Sequence, residues 1–168
     1  MKIIIETERL YLREMVPEDF NDLYLVLADS DIMVHYPYTF DEKRVRNWID
    51  KNIKRYSVFG FGLWGMILKE NNLFIGDCGI TMQNINDFIC PEIGYHIRKE
   101  FQGNGYAKEA GKACKLWAFE NTTFKEIFSY MKSDNKASYK TAESIGMEFR
   151  FEYKDIDGDL SKVYSAIK

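Results

Sequence analysis

The chain has 168 residues, a formal net charge of −3, 46% hydrophobic and 29% charged residues, and a pI of about 5.5. This is globular composition, expected to form one domain over 1–168 that needs no disulfide or structural metal, and it excludes a disordered tail. The acidic balance argues against a dedicated nucleic-acid binder. The scattered Cys78, Cys90 and Cys114 fit neither a disulfide framework nor a paired zinc site, and the apolar runs are too short for a membrane span or signal peptide, so a cytoplasmic setting is expected.

Arg9 to Arg13 alternates polar and apolar residues and predicts a strand. Pro17-Glu18-Asp19 opens an amphipathic helix with Phe20, Leu23, Tyr24 and Leu27 on one face. Asp29 to Phe40 is irregular and rich in aromatics. Asp41 is placed to cap a helix to about Tyr56, with Val45, Trp48, Ile49 and Ile53 on its buried stripe. Three strands follow, Leu63 to Lys69, Leu73 to Met82 and Glu92 to Arg98, the first two joined by a turn at Glu70-Asn71-Asn72. The period then changes to helical over Gly105 to Phe119. Glu126 to Lys132 reads as a strand and Lys136 to Ile145 as a helix stopped by Gly146. Phe149 to Lys154 and Lys162 to Ile167 are strands joined through Asp157-Gly158. The order implies a mixed α/β (α+β) fold with a partly antiparallel sheet.

The segment Arg98 to Ala107 carries most information. A strand ends, a loop holds Gly103 and Gly105, and a helix begins. Such a loop turns successive backbone N–H groups to one point, and the helix N-terminus adds free donors and its dipole, which makes a cradle for a pyrophosphate. The dinucleotide fingerprint fails, because Lys108 stands where its third glycine or alanine belongs, and the P-loop pattern fails as well.

Gln102-x-x-Gly105-x-Ala107 resembles the acetyl-CoA loop, Q/R-x-x-G-x-G/A, of the GNAT N-acetyltransferases. Thr7 to Arg13 resembles the opening "TERLxLR" of the branch that includes the ribosomal-protein serine and alanine N-terminal acetyltransferases. Glu92 to Ile97 resembles its "ELGYWI" strand. Asn135 to Ser138 with Glu143 to Met147 resembles "N-x-A-S-x-x-x-x-E-K-x-G-F". The resemblance implies a mostly antiparallel sheet splayed around acetyl-CoA, flanked by helices, and transfer of acetyl to a primary amine without a metal. It places the cofactor against Tyr95, His96, Ile97 and Arg98, the loop residues Gln102, Gly103, Asn104, Gly105, Tyr106, Ala107 and Lys108, and Asn135.

Such a transfer needs a base for the amine proton, a donor for the carbonyl oxygen and a donor for the departing thiolate. Glu92 is the leading base candidate, with Asp77, His35, His96 and water as competitors. Ser138 is the leading thiolate partner and Tyr139 its neighbour alternative. Ala142 stands where many family members carry a tyrosine. The acceptor is expected against His35, Tyr36 and Tyr38, since aromatic walls with hydroxyl tips suit an amine-bearing chain. A protein or peptide N-terminus ranks first. A polyamine or aminoglycoside stays open because Asp29, Asp31, Asp41 and Glu42 flank the cluster. An acyl-CoA-binding module without turnover and a nucleotide-binding protein are the other readings of the loop. The oligomeric state stays open between monomer and homodimer.

Overall fold

The computed structural model describes residues 2–168. Its strands are β1 (Ile3–Glu6), β2 (Leu10–Arg13), β3 (Leu63–Leu68), β4 (Phe74–Ile85), β5 (Phe88–Ile97), β6 (Glu126–Lys132), β7 (Glu148–Lys154) and β8 (Leu160–Ile167). Its helices are α1 (Phe20–Leu27), α2 (Glu42–Phe59), α3 (Tyr106–Asn121) and α4 (Lys136–Ser144). The strands form a single eight-stranded sheet in the order β1-β2-β3-β4-β5-β6-β8-β7. Every pairing is antiparallel except β5 with β6.

The β5–β6 pairing is parallel and touches in register only at Glu92 and Phe128. Beyond that point the strands diverge and the sheet splays. One apolar core lies under α3 and α4, with Trp64, Ile80, Ile93, Cys114 and Ala118 among its buried members. A second lies under α1 and α2, built on Leu23, Leu27, Val45, Ile49 and Ile67. The two helical layers therefore cover opposite faces of the sheet, and the splay opens between them.

Local chemistry explains most boundaries. Asp41 caps α2, its Oδ1 accepting from the Arg44 N–H at 2.8 Å. The helix runs one turn past the expected Tyr56 and stops at Gly60, whose φ of +77° suits glycine. The long β4–β5 hairpin continues beyond the expected strands and turns at Asn86 and Asp87, with φ of 49° and 67°. Both residue types tolerate that left-handed conformation better than most. Pro91 sits inside β5 opposite Met82. By the alternation of the ladder its missing N–H points away from β4, so no β4–β5 bond is lost. Strand β1, which the alternation pattern does not reveal, pairs with β2 at the edge.

Candidate active site

The loop after β5 is held from outside. Glu109 on α3 accepts from the Thr7 hydroxyl at 2.6 Å, the Arg9 N–H at 2.8 Å and Arg9 Nε at 2.7 Å. Arg9 also donates to the Asn104 carbonyl at 3.0 Å and lies over the Tyr106 ring at 4.4 Å. The Thr7-Glu8-Arg9 segment thus braces the glycine loop against the start of α3. Gly103 and Gly105 adopt φ of 76° and 81°, and Gly105 caps α3. The first backbone N–H to find an acceptor within the helix is that of Glu109, bonded to the Gly105 carbonyl. Among the described residues, no backbone N–H from Gly103 to Lys108 donates to a protein acceptor. Such a run of free donors at a helix N-terminus fits a pyrophosphate.

The pleat of β5 sorts its residues. The Arg98 N–H donates to the Ile75 carbonyl at 2.9 Å, so by antiparallel alternation the main-chain groups of Arg98 and His96 face β4 and those of Tyr95 and Ile97 face the splay. Gln102 Nε2 takes the Ile97 carbonyl at 3.0 Å. This leaves the N–H and C=O of Tyr95, and the N–H of Ile97, for amide groups of a ligand. Of the residues expected to offer main-chain groups to the cofactor, His96 and Arg98 turn theirs to β4. Arg98 turns its side chain to Asp22 on α1 at 2.5 Å, and the His96 side chain faces the opposite layer. The Asn104 side chain folds back on the carbonyls of Phe101 and Gln102. Asn135 caps α4, accepting from the Ser138 N–H at 3.1 Å.

Ser138 lines the cleft, and the Tyr95 hydroxyl lies 3.3 Å from its Oγ and 3.2 Å from its carbonyl. Burial pushes the Tyr95 phenol up, which keeps it protonated and able to donate. Tyr139 is corrected. It stacks on Tyr164 at 6.4 Å with Lys162 over its ring, away from the cleft. Adjacent helical residues point about 100° apart, so α4 presents Ser138 or Tyr139 to the cleft and not both.

On the other face stand Glu92 and His96. Glu92 is 7% exposed and receives the Thr81 hydroxyl at 3.3 Å. Burial raises its carboxyl to about 7, against smaller lowering from His96, Thr81 and Arg55. Asp77, directly opposite His96, is fully buried and accepts from Trp48 Nε1 at 2.9 Å and His96 Nδ1 at 2.7 Å. The Tyr36 hydroxyl lies 3.0 Å from His96 Nε2. Tyr36 and Tyr38 line the cleft beside them. His35 also lines it and pairs with Asp134, before α4, at 3.5 Å. Sequence reasoning missed the Asp77–His96–Tyr36 chain. Its one legible sign was a histidine in place of the family's aromatic residue.

Glu92, His96, Tyr36, Tyr95, Ser138 and the glycine loop line one continuous cleft of about 1430 Å³ that crosses the splay. A single small-molecule site takes roughly 300–1,000 Å³, so two ligands fit here. No group of three or more His, Cys, Asp or Glu residues is placed to hold a metal among the described residues. No helix there is long and apolar enough to cross a membrane.

Residues 9–148 match the model of the acetyltransferase (GNAT) domain family. The uncharacterized protein YkkB of Bacillus subtilis (strain 168) is 35% identical over 149 residues, covering 88% of this chain and 87% of its own. A GNAT-family acetyltransferase from Bacillus anthracis superposes with a TM-score of 0.84 at 25% identity, over 97% of both chains. An acetyltransferase from Salmonella typhimurium, described as modifying the N-terminal serine of the ribosomal protein L7/L12, shares the fold with a TM-score of 0.85 at 19% identity over 99% of both chains. With a family match over most of its length, a splayed sheet and a free-amide loop beside it, this chain belongs to the GNAT acetyltransferases, acyltransferases that use acetyl-CoA.

Proposed function

We propose that the chain transfers the acetyl group of acetyl-CoA to the α-amine of a peptide or protein N-terminus, by direct attack with both substrates bound. One observation carries this reading. The free amides of Gly103 to Lys108 and the buried carboxyl of Glu92 line the same cleft from opposite helical layers. The pyrophosphate would lie on the loop amides, and the pantetheine would pair with Tyr95 and Ile97 as an added strand. The thioester then reaches the splay. Glu92 accepts a proton from the amine. A hydroxyl at Ser138, backed by Tyr95, donates to the departing sulfur.

Charge around the acceptor side favours a peptide over a polyamine. Arg44, Lys51 and Arg55 of α2 line the cleft. Among the described residues, Lys51 and Arg55 have no carboxylate partner; Arg55 is held by Asn52 Oδ1 at 3.1 Å. Three of the four acids that flank the aromatic cluster are engaged elsewhere. Asp31 pairs with Lys99, Asp41 caps α2, and Asp29 accepts from the amides of Asp31 and Ile32. The acceptor is therefore read as an α-amine followed within a few residues by a carboxylate. The test is kcat/KM with acetyl-CoA for Ser-Asp-Glu and Ser-Gly-Gly peptides, spermidine and kanamycin at two salt concentrations. The acidic peptide should lead, by a margin that shrinks with salt. A polyamine preference would overturn the acceptor assignment. Absence of acetyl transfer to every amine would overturn the reaction.

A further inference from the structure

An amine reaches such an enzyme mostly as ammonium at pH 7 and must shed two protons before an amide stands in its place. Glu92 can accept one. A second polar chain faces the same part of the cleft, running from β4 through His96 of β5 to Tyr36 of the aromatic segment.

Asp77 and His96 are direct cross-strand partners on β4 and β5. Because Asp77 is fully buried and accepts from Nδ1 at 2.7 Å, the neutral imidazole carries its proton on Nδ1 and keeps Nε2 as an acceptor. The Tyr36 hydroxyl, 3.0 Å away, then donates to Nε2. The remaining lone pairs of the Tyr36 oxygen are free to receive a proton from a bound ammonium. Packing fixes each member. Trp48 donates to Asp77 at 2.9 Å and stands edge-on to His96 at 5.5 Å. Phe40 stands edge-on to Tyr36 at 5.5 Å. The charged groups around His96 are Asp77 from β4 and Glu92 from β5, with Arg55 of α2 acting on Glu92. Tyr36 is the phenol against it. Burial holds that phenol far above its ordinary range, so it passes a proton on without resting as phenolate.

We propose that Tyr36 and His96 form a second proton exit, with Asp77 as the positioning residue behind them, so that the site removes two protons by two routes. This rests on the acetyltransferase reading above. The ammonium N–H bond breaks as a new O–H bond forms at Tyr36. The original Tyr36 proton moves to His96 Nε2, leaving an imidazolium held by the Asp77 carboxylate; once the product leaves, that proton returns through Tyr36, which lines the cleft, to water entering there. Glu92 takes the other proton. The nitrogen–carbon bond forms, the carbon–sulfur bond breaks, and the thiolate leaves accepting a hydrogen bond from the Ser138 hydroxyl, to be protonated by water after release.

The experiment compares Tyr36→Phe, His96→Gln and Glu92→Gln with wild type, each checked for a melting temperature no lower than wild type, using acetyl-CoA and a peptide acceptor. Tyr36→Phe keeps the packed ring and removes only the oxygen. It should lower kcat at least ~10-fold, within the range of acid–base groups, with the acceptor KM within about twofold. His96→Gln should match it. Combining Tyr36→Phe with Glu92→Gln should multiply the two losses, because the protons leave separately. An intact kcat in Tyr36→Phe, or a loss confined to KM, would reduce Tyr36 to a pocket wall and overturn the relay. A double variant no slower than Glu92→Gln alone would put both groups on one route and overturn it too. Where wild type acetylates no amine at all, the reaction assignment fails instead. If His96→Gln alone loses its melting temperature, the ¹⁵N shifts of wild-type His96 decide. A proton resident on Nε2 would contradict the chain.

Discussion

Glu92 ties catalysis to stability, and the two can be measured against each other. In the folded chain its carboxyl is raised from an ordinary 4.5 to about 7 by burial. The folded state therefore holds the proton more tightly than the unfolded chain does. Stability is unaffected below the ordinary value, falls as pH rises between the two values, and is fully reduced above the folded one. A change of that size corresponds to ~3 kcal/mol, a large share of a domain's ~5–15 kcal/mol. Glu92→Gln keeps the shape and can still receive the Thr81 hydroxyl, yet carries no charge. Its stability should match wild type near pH 4.5 and exceed it by ~3 kcal/mol above pH 8, read from urea unfolding at each pH. Activity should move the other way. The variant should lose ~10²-fold or more in kcat/KM at pH 8. Since the acceptor's own amine titrates near 7.7–8.0, the ratio of wild type to variant is the informative quantity, and it should climb through pH 7 as the carboxylate forms. Parallel stability curves with a flat rate ratio would show that Glu92 is neither costly when ionised nor the base.

Two further outcomes follow from the cofactor side of the cleft. Gly105→Ala forces a Cβ onto a residue at φ +81°, a conformation that costs a non-glycine residue ~1–2 kcal/mol; CoA should bind ~5–10-fold more weakly by calorimetry, and undiminished binding by the folded variant would move the pyrophosphate off this loop. Ser138→Ala should lower kcat ~10-fold with the acetyl-CoA KM retained, while Tyr139→Phe changes neither; the reverse ranking would contradict the orientation of α4.

What could be read before folding was what local chemistry decides. The glycine loop, the Asp41 cap, the Asp157-Gly158 turn and the strand and helix periods each depend on a few neighbouring residues. The long β4–β5 hairpin was hidden because Gln83 to Asp87 is polar and Pro91 looks like a break. Its turn signal, Asn86-Asp87, becomes readable only once β5 is known to face a gap on its far side. The proton relay was hidden more deeply. Asp77 and His96 are nineteen residues apart and meet only through the register of one hairpin, and Tyr36 arrives from a segment with no periodicity. That same register divides the labour of β5. Tyr95 and Ile97 turn main-chain groups to the splay, while Glu92 and His96 turn side chains to the acceptor layer. A slip of one residue would exchange the two sets and place Ile93 and Tyr95 where proton acceptors are needed. The paired positive-φ residues at the hairpin tip and the buried Asp77–His96 contact both resist such a slip, so the same cross-strand pair that holds the imidazole also fixes which face of the strand carries the chemistry.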